Sequence, residues 1–164
     1  MTITAEVIAD SMSPEGHRLT TMQLRYPRFI HAEFMTHRMF SRNASSSRAI
    51  PVKKMIEDLQ RDPAMPVSWG QNQRGMQSGE ELSEADQEYC RVQWLNAMDT
   101  AIVYAQAMVN RGLHKQIANR ILEPGAHINV VVTATEWDNF FNLRAHKDAQ
   151  PEIQDLAYKM LNAM

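Results

Sequence analysis

The chain has 164 residues, 22% of them charged and 44% hydrophobic, with a formal net charge of -2; this suits one compact domain spanning 1–164 and supplies no global basic field to gather DNA or RNA. No apolar run reaches the roughly 20 residues of a membrane helix, and "MTITAEVIADS" has no basic segment leading into an apolar one, so a cytoplasmic protein without a membrane partner is expected. Cys90 is the sole cysteine, which excludes an internal disulfide and a cysteine-based zinc cluster.

Residues 2–10 and 18–26 are rich in Thr, Ile, Val and Leu around the turn-forming "SMSPEGH", the pattern of a β-hairpin. In its second strand Thr20, Met22, Leu24 and Tyr26 share one face, the more apolar of the two. After Pro27, the spacing of Phe29, Ile30, Phe34, Met35 and Met39 predicts a short helix that stops near Ser41, and "SRNASSSRAIP" reads as loop. Residues 52–61 suit a helix. The stretch "DPAMPVSWGQNQRGMQSGEE", with two prolines and three glycines, is a long loop of the kind that forms lids or binding elements. Ser83 and Asp86 make a capping-box start, and apolar steps from Tyr89 through Val109 carry a helix of about 28 residues, roughly 42 Å, to a stop at Gly112. A helix over 114–122 before Pro124, a strand at "HINVVVTAT", and helices over 136–144 and 151–163 complete the chain. The expected fold is α/β: an N-terminal hairpin joined to a mixed sheet, packed with one long helix and several shorter ones.

Between Phe34 and Pro51 the chain concentrates Thr36, His37, Arg38, Ser41, Asn43, Ser46, Ser47 and Arg48. Guanidiniums grip phosphate bidentately while serine hydroxyls and loop N–H groups add donors, so a nucleoside monophosphate suits this stretch. Composition alone allows a solvated surface loop equally well. His17, His31, His114, His127 and His146 form no metal-ligand spacing, and no metal is expected.

The spacing H-R-x-x-S-x-N-x-x-S-x-R, here His37, Arg38, Ser41, Asn43, Ser46 and Arg48, resembles the signature of the flavin-dependent thymidylate synthases. It matches six of the seven fixed positions, with Thr36 standing where the family has a leading arginine. "NRILEP" at 119–124 and "NFFNLRAHKDAQPEIQDLA" at 139–157 are similar to two further segments of that family. The resemblance implies a homotetramer with sites at subunit interfaces. It also implies FAD reduced by NADPH, and transfer of a one-carbon unit from methylenetetrahydrofolate to C5 of dUMP, giving dTMP without a cysteine nucleophile. Carried over by position, Arg144 is the catalytic arginine beside the uracil ring, where a cation stabilises the charge that makes C5 nucleophilic. Arg120, Glu33, Ser46, Ser47 and Arg48 join it as dUMP contacts. His37, Arg38, Asn139, Thr133 and Thr135 match flavin positions, and Asn43 either joins them or braces the loop.

Other readings stay open beside this one. Arg120 and Arg144 each lie where arginines cap helix carbonyls. Thr36, and Ala44 at a place where many relatives carry glutamate, remove charged ligand contacts. Trp69, Gln71, Asn72, Gln73 and Arg74 combine a stacking face with amide donors and either cover a ligand ring or tether subunits. Two rival functions follow: hydroxymethylation of a pyrimidine nucleotide by the same chemistry, and a non-catalytic nucleotide- or RNA-binding protein.

Overall fold

The computed structural model describes residues 3–164. In chain order its elements are β1 (Thr4–Met12), β2 (Arg18–Pro27), a 3₁₀ turn (Arg28–Ile30) leading into α1 (His31–Phe34), β3 (Ser41–Ala44), α2 (Val52–Arg61), α3 (Glu84–Asn110), α4 (Lys115–Ala118) continued by 3₁₀ turns (Asn119–Gly125), β4 (His127–Ala134), α5 (Asp138–Arg144) and α6 (Pro151–Ala163). They fall into two compact units, one built from the chain up to Ser45 together with Ile128–Met164, the other from Ser46–His127. Among the described residues no helix is long and apolar enough to cross a membrane.

The first unit is a four-stranded sheet in the order β1-β2-β4-β3, with helices α1, α5 and α6. The expected hairpin forms, with β1 antiparallel to β2 and shifted two residues along from the anticipated span, whose Thr2 lies outside the described residues. Alternation decides the packing: Thr20, Met22, Leu24 and Tyr26 are fully buried, as are Ile128, Val130 and Val132 on β4. On α6 the buried residues Ile153, Leu156, Ala157 and Met160 recur at helical spacing and join Phe34 and Phe140 in this core. Each such large apolar side chain contributes about 1.5–3 kcal/mol on burial.

Two expectations fail here for physical reasons. The helix after Pro27 ends at Phe34 rather than near Ser41, because the Glu33 carbonyl is taken by Thr36 through both its N–H (3.1 Å) and its hydroxyl (2.7 Å). Ser41–Ala44, read as loop, is a strand: it pairs antiparallel with β4 from Ser41↔Thr133 to Ala44↔Val130. Nothing in "SRNA" favours a strand locally; the neighbouring strand supplies the partners.

In the second unit α3 begins as expected, with the Ser83 hydroxyl accepting from the Asp86 N–H at 3.2 Å. It closes as a Schellman turn: Gly112 N–H donates to Val109 O (2.8 Å) and Leu113 N–H to Met108 O (3.1 Å), with Gly112 at φ +89. Met55 and Leu59 of α2 pack with Ala105, Leu122 and Ala126. The helix expected over 114–122 is α-helical only to Ala118 and then tightens into 3₁₀ turns that contain Pro124, a residue with no N–H for the α pattern. The long loop folds back on itself, Gly70 bridging Glu81. The Trp69 ring meets Trp94 edge-on at 6.2 Å.

Candidate active site

The turn that ends α1 also aims His37. The residue is 8% exposed and its ring packs edge-on against Phe140 at 4.8 Å. Arg42, from β3, braces the same turn by donating from Nη1 to the carbonyl oxygens of Met35 (3.2 Å) and His37. Arg144, the last residue of α5, donates from Nε to His37 Nε2 at 2.9 Å, and its Nη1 pairs with Glu33 Oε1. It does not cap the carbonyls of its own helix. An imidazole nitrogen that accepts from a guanidinium carries no proton, so the His37 proton sits on Nδ1. Burial first, then the charges of Arg144 and Arg42, hold the His37 pKa down to about 4, which keeps the ring neutral.

Beside this cluster lies a cavity of about 340 Å³, near the lower end of the range for small-molecule sites. Thr36, His37, Arg38, Asn139 and Arg144 line it together with the apolar Met39, Phe140 and Leu143. Four residues named from sequence, His37, Arg38, Asn139 and Arg144, therefore meet in one place, and Glu33 reaches it through Arg144. Apolar walls with a few polar donors suit a heterocycle that carries carbonyl groups. Asn43, Thr133 and Thr135 are not part of that lining. Asn43 is exposed on β3 opposite Val131, and Thr133 shares a 2.8 Å hydroxyl–hydroxyl bond with Thr21. Thr135 lines a second cavity, of about 290 Å³, with Arg18, Thr20 and Trp137.

The remaining candidates belong to the second unit, where two 119–125 side chains hold the serine-rich loop. Asn119, fully buried, donates from Nδ2 to the carbonyls of Ser47 (2.7 Å) and Ile50 (2.9 Å). The Ser47 hydroxyl donates to Glu123 Oε1, the same oxygen that accepts from Arg120 Nη1 at 2.9 Å. Ser47 is thus a buried brace, while Ser46 and Arg48 on either side are exposed. Arg120 pairs with a carboxylate instead of capping its turn, and half of its side chain stays open to solvent.

Sequence reasoning missed Glu123, Asn119 and Glu136, the last a carboxylate in the wall of both cavities. Glu123 had a readable signal, an acid three residues after Arg120 in a helical stretch. Asn119 and Glu136 had none, since their roles depend on tertiary packing.

A family model described as thymidylate synthase complementing protein matches residues 5–164. The flavin-dependent thymidylate synthase of Pyrococcus furiosus is 36% identical over 73 residues, 43% of this chain and 30% of that protein; the one from Sulfolobus acidocaldarius is 38% identical over 68 residues, 40% of this chain and 26% of that protein. The matched stretch spans less than a third of the length of these relatives. Among solved structures, the UMP/dUMP methylase PolB from Streptomyces cacaoi bound with 5-Br UMP superimposes with a TM-score of 0.81 at 20% identity, covering 99% of this chain and 88% of that one. Thymidylate Synthase X from Helicobacter pylori with FAD and dUMP gives a TM-score of 0.67 at 14% identity, covering 99% and 93%. At these identities the likeness is one of fold.

Proposed function

We propose, from the premise that this chain belongs to the thymidylate synthase complementing protein family, that it is a flavin-dependent thymidylate synthase. In this reading it methylates dUMP to dTMP with methylenetetrahydrofolate as carbon donor and FAD reduced by NADPH. The observation that carries the proposal is the cavity that His37, Arg38, Asn139 and Arg144, from two distant parts of the chain, line together.

The residues present fit a flavin ring. Phe140, Leu143 and Met39 offer apolar faces, while Arg38 and Asn139 offer donors for ring carbonyls. A reduced flavin held there by Arg38 and Asn139 would supply hydride. Everything else falls to the chain's own groups. Arg144 lies beside the pyrimidine, where its fixed cation stabilises negative charge spreading over the ring carbonyls as C5 becomes nucleophilic. In an assembly of subunits, Arg48 and Ser46 of one copy, exposed at the serine-rich loop, take the nucleotide phosphate with Arg120, whose half-open guanidinium keeps donors for it. Asn43, Thr133 and Thr135 serve a flavin-facing surface in an assembly of subunits.

A homotetramer is part of the proposal. Of the residues of α3 only Ala105 is buried, and Tyr89, Val103 and Tyr104 are each more than 60% exposed. Apolar surface on so long a helix supports burial against other copies of the chain. A cytoplasmic location follows from the proposed reaction.

The test is mass spectrometry of nucleotides after anaerobic incubation of the FAD-supplemented protein with dUMP, methylenetetrahydrofolate and NADPH. Formation of dTMP is expected. A hydroxymethylated nucleotide would assign the related transferase chemistry instead, and unchanged dUMP with intact flavin and folate would refute the synthase.

A further inference from the structure

We infer that His37 and Glu33 are the mount of Arg144: positioning residues that fix the guanidinium by two of its three nitrogens and leave the third for a ligand in the cavity. This rests on the reading of Arg144 as the group that meets the pyrimidine. Nε donates to His37 Nε2 at 2.9 Å and Nη1 pairs with Glu33 Oε1. Among the described residues Nη2 has no partner, and Arg144 lines the cavity. A guanidinium is a rigid planar fork, so holding Nε and Nη1 fixes the plane and hence the direction of the Nη2 hydrogens. An unheld arginine samples many rotamers; this one enters the reaction with that freedom already removed.

The mount is itself held. His37 is wedged between Phe140, edge-on at 4.8 Å, and Phe40 at 6.0 Å, and its carbonyl accepts from Arg42. The Glu33 carbonyl is pinned by the N–H and hydroxyl of Thr36. Thr36, at the one motif position without its arginine, thereby gains a role. Support of this layered kind keeps a reacting group in place.

The mount also sets the kind of ligand. Glu33 offsets part of the charge of Arg144, and the neutral His37 adds none. What remains is a directed N–H donor whose positive charge is partly compensated. Such a donor suits the carbonyl edge of a heterocycle on which charge develops, and it suits a phosphate dianion poorly.

The test compares wild type, H37F, H37Q, E33A and E33Q, FAD-loaded, for kcat, for KM of dUMP and for flavin affinity by fluorescence. H37F should lower kcat, measured at saturating flavin, about 10- to 100-fold. H37Q, whose amide oxygen can accept in place of Nε2, should recover most of the loss, and E33Q should recover most of the loss in E33A. Weakened flavin binding with kcat intact at saturating flavin would show that His37 is only a wall of the cavity, and would overturn the inference. Should H37F fail to fold by circular dichroism, the two Glu33 variants carry the comparison, and kcat values equal to wild type in both would overturn it. A wild type that turns over no dUMP would sink the synthase reading and this inference together. Apart from turnover, ¹⁵N NMR of the wild type should show His37 protonated at Nδ1 alone at neutral pH, and a proton on Nε2 would refute the mount.

Discussion

Acid should destabilise this protein through His37. The residue is 8% exposed; its ring accepts from the Arg144 guanidinium of α5, its carbonyl from the Arg42 guanidinium of β3, and the Glu33 carboxylate of α1 lies across Arg144. Burial, then the two arginines, hold its pKa down to about 4 against 6.5 for a free imidazole. The folded pKa lies below the unfolded one, so between these values the unfolded chain binds a proton that the folded chain refuses. The contribution of the neutral ring is complete above about pH 6.5 and is lost as the pH falls toward 4. A gap of about 2.5 on the pH scale at roughly 1.4 kcal/mol each sets the full loss at no more than about 3.5 kcal/mol, of which roughly 2.5 kcal/mol falls between about pH 7 and pH 4.5. For a chain of this size that corresponds to roughly 5–10 °C in Tm. Thermal melts of wild type and H37Q between about pH 7 and pH 4.5 isolate the term, because the variant has no ring to titrate there and the carboxylates contribute equally to both. H37Q should show the flatter curve by that amount. Parallel curves would refute the neutral, arginine-flanked histidine.

Three further outcomes follow. Arg144→Ala should abolish dTMP formation, a loss of at least about 100-fold, in a protein that still folds, as measured by single-turnover product analysis; Arg144→Lys cannot span both Glu33 and His37 and should rescue little. Arg48→Ala should raise KM for dUMP about tenfold with kcat little changed, and an equal fall in kcat would move Arg48 from phosphate grip to chemistry. Gly125→Ala should cost about 1–3 kcal/mol in denaturant unfolding, because a Cβ there would lie 2.3 Å from the Met98 sulfur and 3.4 Å from Leu59 Cδ2; no loss would mean that the Met98 side chain swings clear.

Much of the fold could be read wherever a local rule decided it. The two-residue alternation of β2 grouped Thr20, Met22, Leu24 and Tyr26 on the more apolar face, and all four are buried. Ser83 and Gly112 bracketed α3 because a hydroxyl cap and a left-handed turn are local chemistry. The failures lie where distant groups intervene. Apolar spacing carried α1 on to Ser41, yet the Met35 carbonyl goes to the Arg42 side chain, and that of His37 accepts from Arg42 and from the Phe40 N–H in a three-residue turn. β3 exists because β4 offers it an edge, a fact absent from four residues of "SRNA".

The site divides along the same line. Residue type at fixed spacing pointed to His37 and Arg38, and similarity of a later segment to Asn139 and Arg144; their meeting in one cavity is the consequence of α5 docking beside the turn after α1. Spacing could not show how the arginines are held. Glu33 and Arg144 are 111 residues apart in sequence, so no periodicity links them, and a half-buried guanidinium without that carboxylate would carry an uncompensated charge at a cost of several kcal/mol. The pairing therefore helps to hold Arg144 in that place. A charge-based motif identifies which groups meet the ligand; the counter-charges that let those groups sit partly buried, Glu33 for Arg144 and Glu123 for Arg120, are fixed by the fold, and a search for the carboxylate behind each functional arginine would have found the more local of the two.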